Sequence, residues 1–84
     1  MAGKSNYHDL GMQVLSYNTC IWQLGGNGVR YFNATKYSVT TSKHQNKCRR
    51  EHRVDLDLTG VPMGTLNLEV WALEQQVKSL EHDS

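Results

Sequence analysis

No stretch of this sequence is apolar over the roughly 20 residues that a membrane-spanning helix needs, and the opening Met1-Ala2-Gly3-Lys4-Ser5-Asn6 lacks the apolar core of a secretory signal. These absences point away from the membrane and toward a chain that stays in the compartment where it is made. Cysteine is scarce. Cys20 and Cys48 are too few for a disulfide scaffold, and in the cytoplasm both are expected as thiols. With a single Phe, the rigid bulk of the core must come from two Trp and four Tyr. Length is short too: 84 residues allow one compact unit with one core, which leaves little room for a catalytic cleft.

Arrangements that support catalysis are also missing. Ser38, Thr40, Thr41 and Ser42 precede His44, but no glycine-flanked elbow or oxyanion loop surrounds them. Gly25-Gly26-Asn27-Gly28 is not followed by a helix bearing Lys-Ser/Thr, so it is no phosphate loop. The carboxylates are spread along a strand and a helix rather than paired for acid–base work. These features together predict a non-catalytic binding domain with no cofactor.

What the chain does have is charge asymmetry. Its net charge is only +1, yet between Arg30 and Arg53 seven cations (Arg30, Lys36, Lys43, Lys47, Arg49, Arg50, Arg53) face one acid, Glu51, giving +6. From Val54 onward six acids (Asp55, Asp57, Glu69, Glu74, Glu81, Asp83) face Lys78, giving −5. Such a distribution fits a patch that meets an anionic partner, two halves that attract each other within one chain or between two, or two solvated faces.

The pattern predicts an α+β domain over residues 12–84 behind a flexible terminus, 1–11, that nothing apolar anchors before Leu10. Residues 12–22 alternate as one strand, and Leu24-Gly25-Gly26-Asn27-Gly28 supplies the residues of a tight reversal. Val29 to Thr35 returns as the second strand. Ser42-Lys43-His44-Gln45 matches a capping box and opens a helix over about 43–53. Val54 to Thr59 alternates strictly, as a half-buried third strand with its aspartates outward. A helix follows from about 65 to 81, with Thr65 as N-cap and Leu66, Val70, Leu73, Val77 and Leu80 as its core-facing stripe. The expected architecture is thus a sheet of about three strands, a hairpin plus one, with a short basic helix and a longer C-terminal helix packed on it.

The basic helix holds no aliphatic residue, so something other than core packing must account for it. At helical spacing Lys43, Lys47 and Arg50 share one ridge and Arg49 and Arg53 the next, while His44, Cys48 and His52 form a third. With the third ridge inward, the cations line a phosphate backbone and Asn46 and Gln45 reach bases or phosphates, which makes DNA or RNA a candidate partner. His44, Cys48 and His52, joined by Cys20, are also the only grouping that suggests a zinc site, against the simpler reading of ordinary packing. Trp71 lies beside the C-terminal stripe; buried it belongs to the core, exposed it marks a surface for a host protein or for a homodimer.

Ser16-Tyr17-Asn18-Thr19-x-Ile21, followed by Asn33-x-Thr35-x-Tyr37-Ser38-x-Thr40-Thr41-Ser42-x-His44-Gln45, resembles a set of small phage-encoded proteins of uncharacterised function over about residues 14–53. The resemblance implies a virus-borne accessory protein acting in the cytoplasm of a bacterial host, and it carries no catalytic residue. Tyr31-Phe32-Asn33-Ala34-Thr35 also resembles the core motif of KilA-N domains, viral DNA-binding modules. Two functions follow as expectations: a nucleic-acid-binding accessory protein acting through Lys43, Lys47, Arg49, Arg50 and Arg53, or a viral protein that binds and modulates a host protein.

Overall fold

Tyr7–Asp9 forms a short edge strand, β1, although little in its own composition calls for one. Its anchors come from far along the chain: Asp9 Oδ2 lies 2.7 Å from His52 Nε2, and the Tyr7 hydroxyl donates to Glu51 Oε1 at 3.1 Å. Within the expected flexible terminus over 1–11, residues 7–9 are thus placed as a strand. The computed structural model describes residues 7–82, so that the first six residues of that terminus lie outside it.

The alternation of residues 12–22 does not run through as one strand either. It breaks at Tyr17-Asn18 into β2 (Gln13–Ser16) and β3 (Thr19–Leu24), with Tyr17 at φ 56, a left-handed conformation that costs a bulky side chain about 1–2 kcal/mol. The next reversal is the glycine turn the sequence predicts. A Cβ on Gly25 would come within 2.8 Å of both Asn27 Oδ1 and Tyr31 Cε2, which is why glycine stands there. β4 (Arg30–Asn33) returns antiparallel to β3.

α1 runs from Val39 to Glu51, a turn earlier than the capping box suggests. Ser38, not Ser42, is the N-cap, its Oγ accepting from the Thr41 amide at 3.2 Å. Gln45 is thereby freed from any capping role. After α1 the chain enters β5 (Leu56–Leu58), which pairs parallel to β4. The sheet therefore has five strands in the order β1-β2-β3-β4-β5 rather than about three, antiparallel except for its last pair, and the α+β class stands. α2 spans Leu68–His82; Asn67, not Thr65, caps it, Oδ1 accepting from the Val70 amide at 3.0 Å.

Strand pleating, interrupted by a bulge in β3 opposite Val14 and Leu15 that turns Ile21 and Trp22 to one side and Cys20 to the other, sorts the core onto two faces. Val14, Trp22 and Phe32, opposite one another across β2, β3 and β4, pack with Cys48 of α1. Cys20, Tyr31 and Leu58 form the other face with Val61 and Leu68, and Trp71 and Ala72 of α2 pack against them. Each helix thus covers its own side of the sheet. No buried side-chain polar atom among the described residues lacks a partner, and no described helix is long and apolar enough to cross a membrane.

α2 docks through a different face from the one its 4-3 spacing suggests. Leu68, Trp71 and Ala72 meet the sheet, while the expected core stripe is exposed: Leu66 56%, Val70 49%, Leu73 47%, Val77 53% and Leu80 72%. α2 is apolar on two sides, and polar anchors decide between them. Gln23 Oε1 accepts from the Leu68 amide at 2.6 Å and Glu69 Oε1 from the Gly26 amide at 3.2 Å, fixing the first turn of α2 with Leu68 inward.

Candidate functional site

Burial sorts the faces of α1. Thr41, Gln45 and Cys48 are buried against the sheet, and His44 and His52 are half-buried beside them. The opposite side carries Lys43, Asn46, Lys47 and Arg50, all exposed, with Lys43 and Arg50 two turns apart on one line. The expected turning of imidazoles and thiol away from the cations is what the geometry gives. Arg53, just past the end of α1, is exposed too, and its carbonyl accepts from Trp22 Nε1 at 2.8 Å, which holds that part of the backbone in place.

The cations differ in their neighbours. Arg49 lies on the flank, its Nη2 3.3 Å from Asp57 Oδ2 and its guanidinium 5.0 Å from the Phe32 ring centre. Lys47 Nζ stands 4.6 Å over the Tyr7 ring. An exposed ion pair or cation–π contact contributes at most about 1 kcal/mol, so neither holds its cation firmly against a competing phosphate. Arg49 and Arg50 also sit in the last turn of α1, where the helix dipole favours positive charge. Between α1 and residues 34–36 a shallow hollow of about 280 Å³ has Lys36, Asn46 and Arg49 on its rim, extending the cationic strip.

The acids that could neutralise this strip do so only in part. Asp55 takes Arg30, Oδ2 to Nη1 3.1 Å, and Asp57 takes Arg49. Glu69 and Glu74 belong to α2, across the sheet. An intramolecular pairing of the two charged halves is therefore limited to two surface ion pairs among the described residues.

The suggested zinc ligands do not converge. Cys20 and Cys48 belong to clusters on opposite faces of the sheet. His44 Nδ1 is engaged with Ser16 Oγ at 2.7 Å and His52 Nε2 with Asp9. Burial pushes the Cys20 thiol up to about 11, and burial followed by the charge of Asp9 pushes Cys48 up to about 12, so both stay protonated near neutral pH, as packing residues do. A different trio, Asp9, Glu51 and His52, brings its ligand atoms within 4.8 Å of one another. Sequence reasoning missed it because Asp9 fell in a segment read as flexible. Its atoms are taken up in clipping β1 to the end of α1: Asp9 Oδ1 also accepts from the Gly11 amide at 2.9 Å, and this bond, then the one to His52, holds its carboxyl below the usual range.

Trp71 is half-buried and packs with the α2-side cluster, so it is a core residue and the exposed face lies beside it. The residues that carry the phage-protein resemblance also find places. They form one polar frame around α1: Ser16 with His44, Asn33 Nδ2 donating to the Tyr37 hydroxyl at 3.0 Å, the Thr35 amide donating to Asn33 Oδ1 at 3.0 Å, and Ser38 capping the helix. Ser16, Tyr17, Thr19, Tyr37, Ser38 and Thr41 converge on a hollow of about 440 Å³ where the β2–β3 turn meets the start of α1.

The model of a family of unknown function, DUF8033, matches residues 1–57, a span that includes β1 to β4 and all of α1 and leaves α2 outside. No curated protein and no solved structure matches the chain.

Proposed function

We propose that this chain, which belongs to the DUF8033 family of unknown function, is a non-catalytic accessory protein that binds nucleic acid through the outward side of α1. The facing of that helix carries the proposal: Lys43, Asn46, Lys47 and Arg50 meet water together, while the side turned to the sheet is uncharged Thr41, Gln45 and Cys48. Lys36, Arg49 and Arg53 widen the strip. Thirteen residues give a helix of roughly 20 Å, enough for several phosphates and narrow enough for a major groove of about 12 Å. Contacts of this kind are mostly electrostatic and independent of sequence, with Asn46 the uncharged group among them suited to a base edge. The resemblance to phage proteins supports a setting in the cytoplasm of a bacterial host.

Anisotropy titrations of a labelled duplex and a labelled single strand at low salt test this. Binding at about 1–100 µM at physiological salt, as for non-specific contacts, and tighter at low salt is expected, and Lys47→Glu with Arg50→Glu abolishes it while the circular dichroism spectrum stays native. Binding of a host protein instead predicts no affinity for either oligonucleotide at any salt. That outcome, or indifference to the two charge reversals, overturns the proposal.

A further inference from the structure

Tyr17 is held at φ 56 with 47% of its surface exposed, so the strain in its backbone is not offset by burial of its ring. That ring forms one wall of the hollow of about 440 Å³ between the β2–β3 turn and the start of α1, a volume usual for a small-molecule site. Tyr37 and Met63, the latter 72% exposed, are the other large groups around it, and no charged residue lines it. The wall hydroxyls are engaged within the protein: Ser16 with His44, Thr19 Oγ1 accepting from the Gly64 amide at 2.9 Å, Ser38 from the Thr41 amide, and Tyr37 bonded to Asn33 and Val61. What the hollow offers a ligand is therefore two aromatic rings and a polarisable thioether, surfaces that suit an uncharged planar group rather than an ion.

A row of rings joins this hollow to the cationic side of α1. The Tyr17 ring centre lies 6.1 Å from that of His44, the His44 ring 5.5 Å from that of Tyr7, and Lys47 Nζ 4.6 Å from the Tyr7 ring centre. Lys43 and Arg50 lie beyond Lys47 on the outward side of the helix. Cations and exposed aromatic surface thus adjoin, and this is the combination by which proteins hold single-stranded nucleic acid, with phosphates on the cations and bases stacked on the rings.

We infer that the hollow takes an unpaired base, stacked on Tyr17 and set against Met63, from a single strand whose phosphates lie along Lys43, Lys47 and Arg50. An aromatic side chain of a protein partner shares the flatness of a base but brings no phosphates to the neighbouring cations. The inference rests on the proposed nucleic-acid contact through α1 and adds to it a second kind of contact, one that salt does not screen. It also gives the strain at Tyr17 a use, since asparagine or glycine makes the turn more easily but leaves the base without its platform.

Anisotropy titrations with two labelled strands of about 12 nucleotides, one of thymidines and one with the same phosphates but abasic throughout, separate the two contacts. Both strands are expected to bind, with parallel plots of log K against log salt and the thymidine strand tighter by at least about fivefold, the effect of stacking one base. Tyr17→Asn, folded and raised in Tm, brings the thymidine strand down to the affinity of the abasic one and leaves the abasic one unchanged. Tyr17→Phe keeps the difference, and Met63→Ala narrows it. Equal affinity of the wild type for the two strands, a loss on Tyr17→Asn that falls equally on both, or a difference that Met63→Ala leaves whole overturns the base site while phosphate contact through α1 stands. Absence of binding to either strand overturns both readings.

Discussion

Gln45, buried on α1, donates its side-chain amide to two carbonyls at the end of β4, those of Asn33 at 2.7 Å and Thr35 at 2.9 Å. One side chain therefore ties the basic helix to the sheet and keeps the opposite side of that helix in water. Gln45→Met keeps the length and removes both donors, leaving a buried carbonyl unpaired. A loss of about 2 kcal/mol is expected, read as a lowered urea midpoint with an unchanged slope. A loss below about 0.5 kcal/mol would mean that the helix is held by other contacts.

Tyr17 presents the opposite case, a residue that costs stability where it stands. At φ 56 and nearly half exposed, it makes a turn that asparagine or glycine makes with less strain. Tyr17→Asn is expected to raise stability by about 1 kcal/mol, or about 4–8 °C in Tm for a domain of this size. A fall in Tm would show that the ring, 6.1 Å from that of His44, contributes more through packing than the backbone loses.

His44 supplies a pH dependence with a definite sign. Burial, and then the nearby Lys47, hold its imidazole below the ordinary value of 6.5, with Tyr7, Tyr17 and Ser16 as its other neighbours. A group that binds its proton less readily folded than unfolded stabilises the fold fully above its unfolded pKa, and that contribution is lost as pH falls through the folded one. Tm measured from pH 7.5 to 5 should therefore drop more steeply below about 6.5 in the wild type than in His44→Gln. Parallel curves would refute this. Asp9, held low by Gly11 and His52, loses its contribution only in a more acid range and does not confuse the comparison.

How much of this was legible in the sequence depends on whether the deciding contact is local. The glycine turn before β4, the exposed Asp57 of β5 and the shared outward side of Lys43, Lys47 and Arg50 follow from spacing and residue type alone. β1 does not, because it is anchored by Glu51 and His52, more than forty residues away. The Tyr17-Asn18 reversal carries no glycine, so the alternation on either side reads straight through it. The start of α1 was misplaced because Val39, Thr40 and Thr41 favour extended chain, and the Ser38 cap outweighs that preference only once the helix is docked. The apolar stripe of α2 was visible as a pattern, but a pattern cannot say which of two apolar sides meets the sheet. Gln23 and Glu69 decide that through bonds to backbone amides, and the residues resembling phage proteins turn out to share one hydrogen-bonded frame around α1.

Nucleic-acid contact through α1 is tested most directly by the salt dependence of duplex affinity. If Lys43, Lys47 and Arg50 each neutralise one phosphate, log K against log salt has a slope of about −3, and Arg50→Ala brings it to about −2 while weakening binding equally for unrelated sequences. A slope near zero in the wild type, or one that Arg50→Ala leaves unchanged, would contradict a phosphate-binding role for this helix.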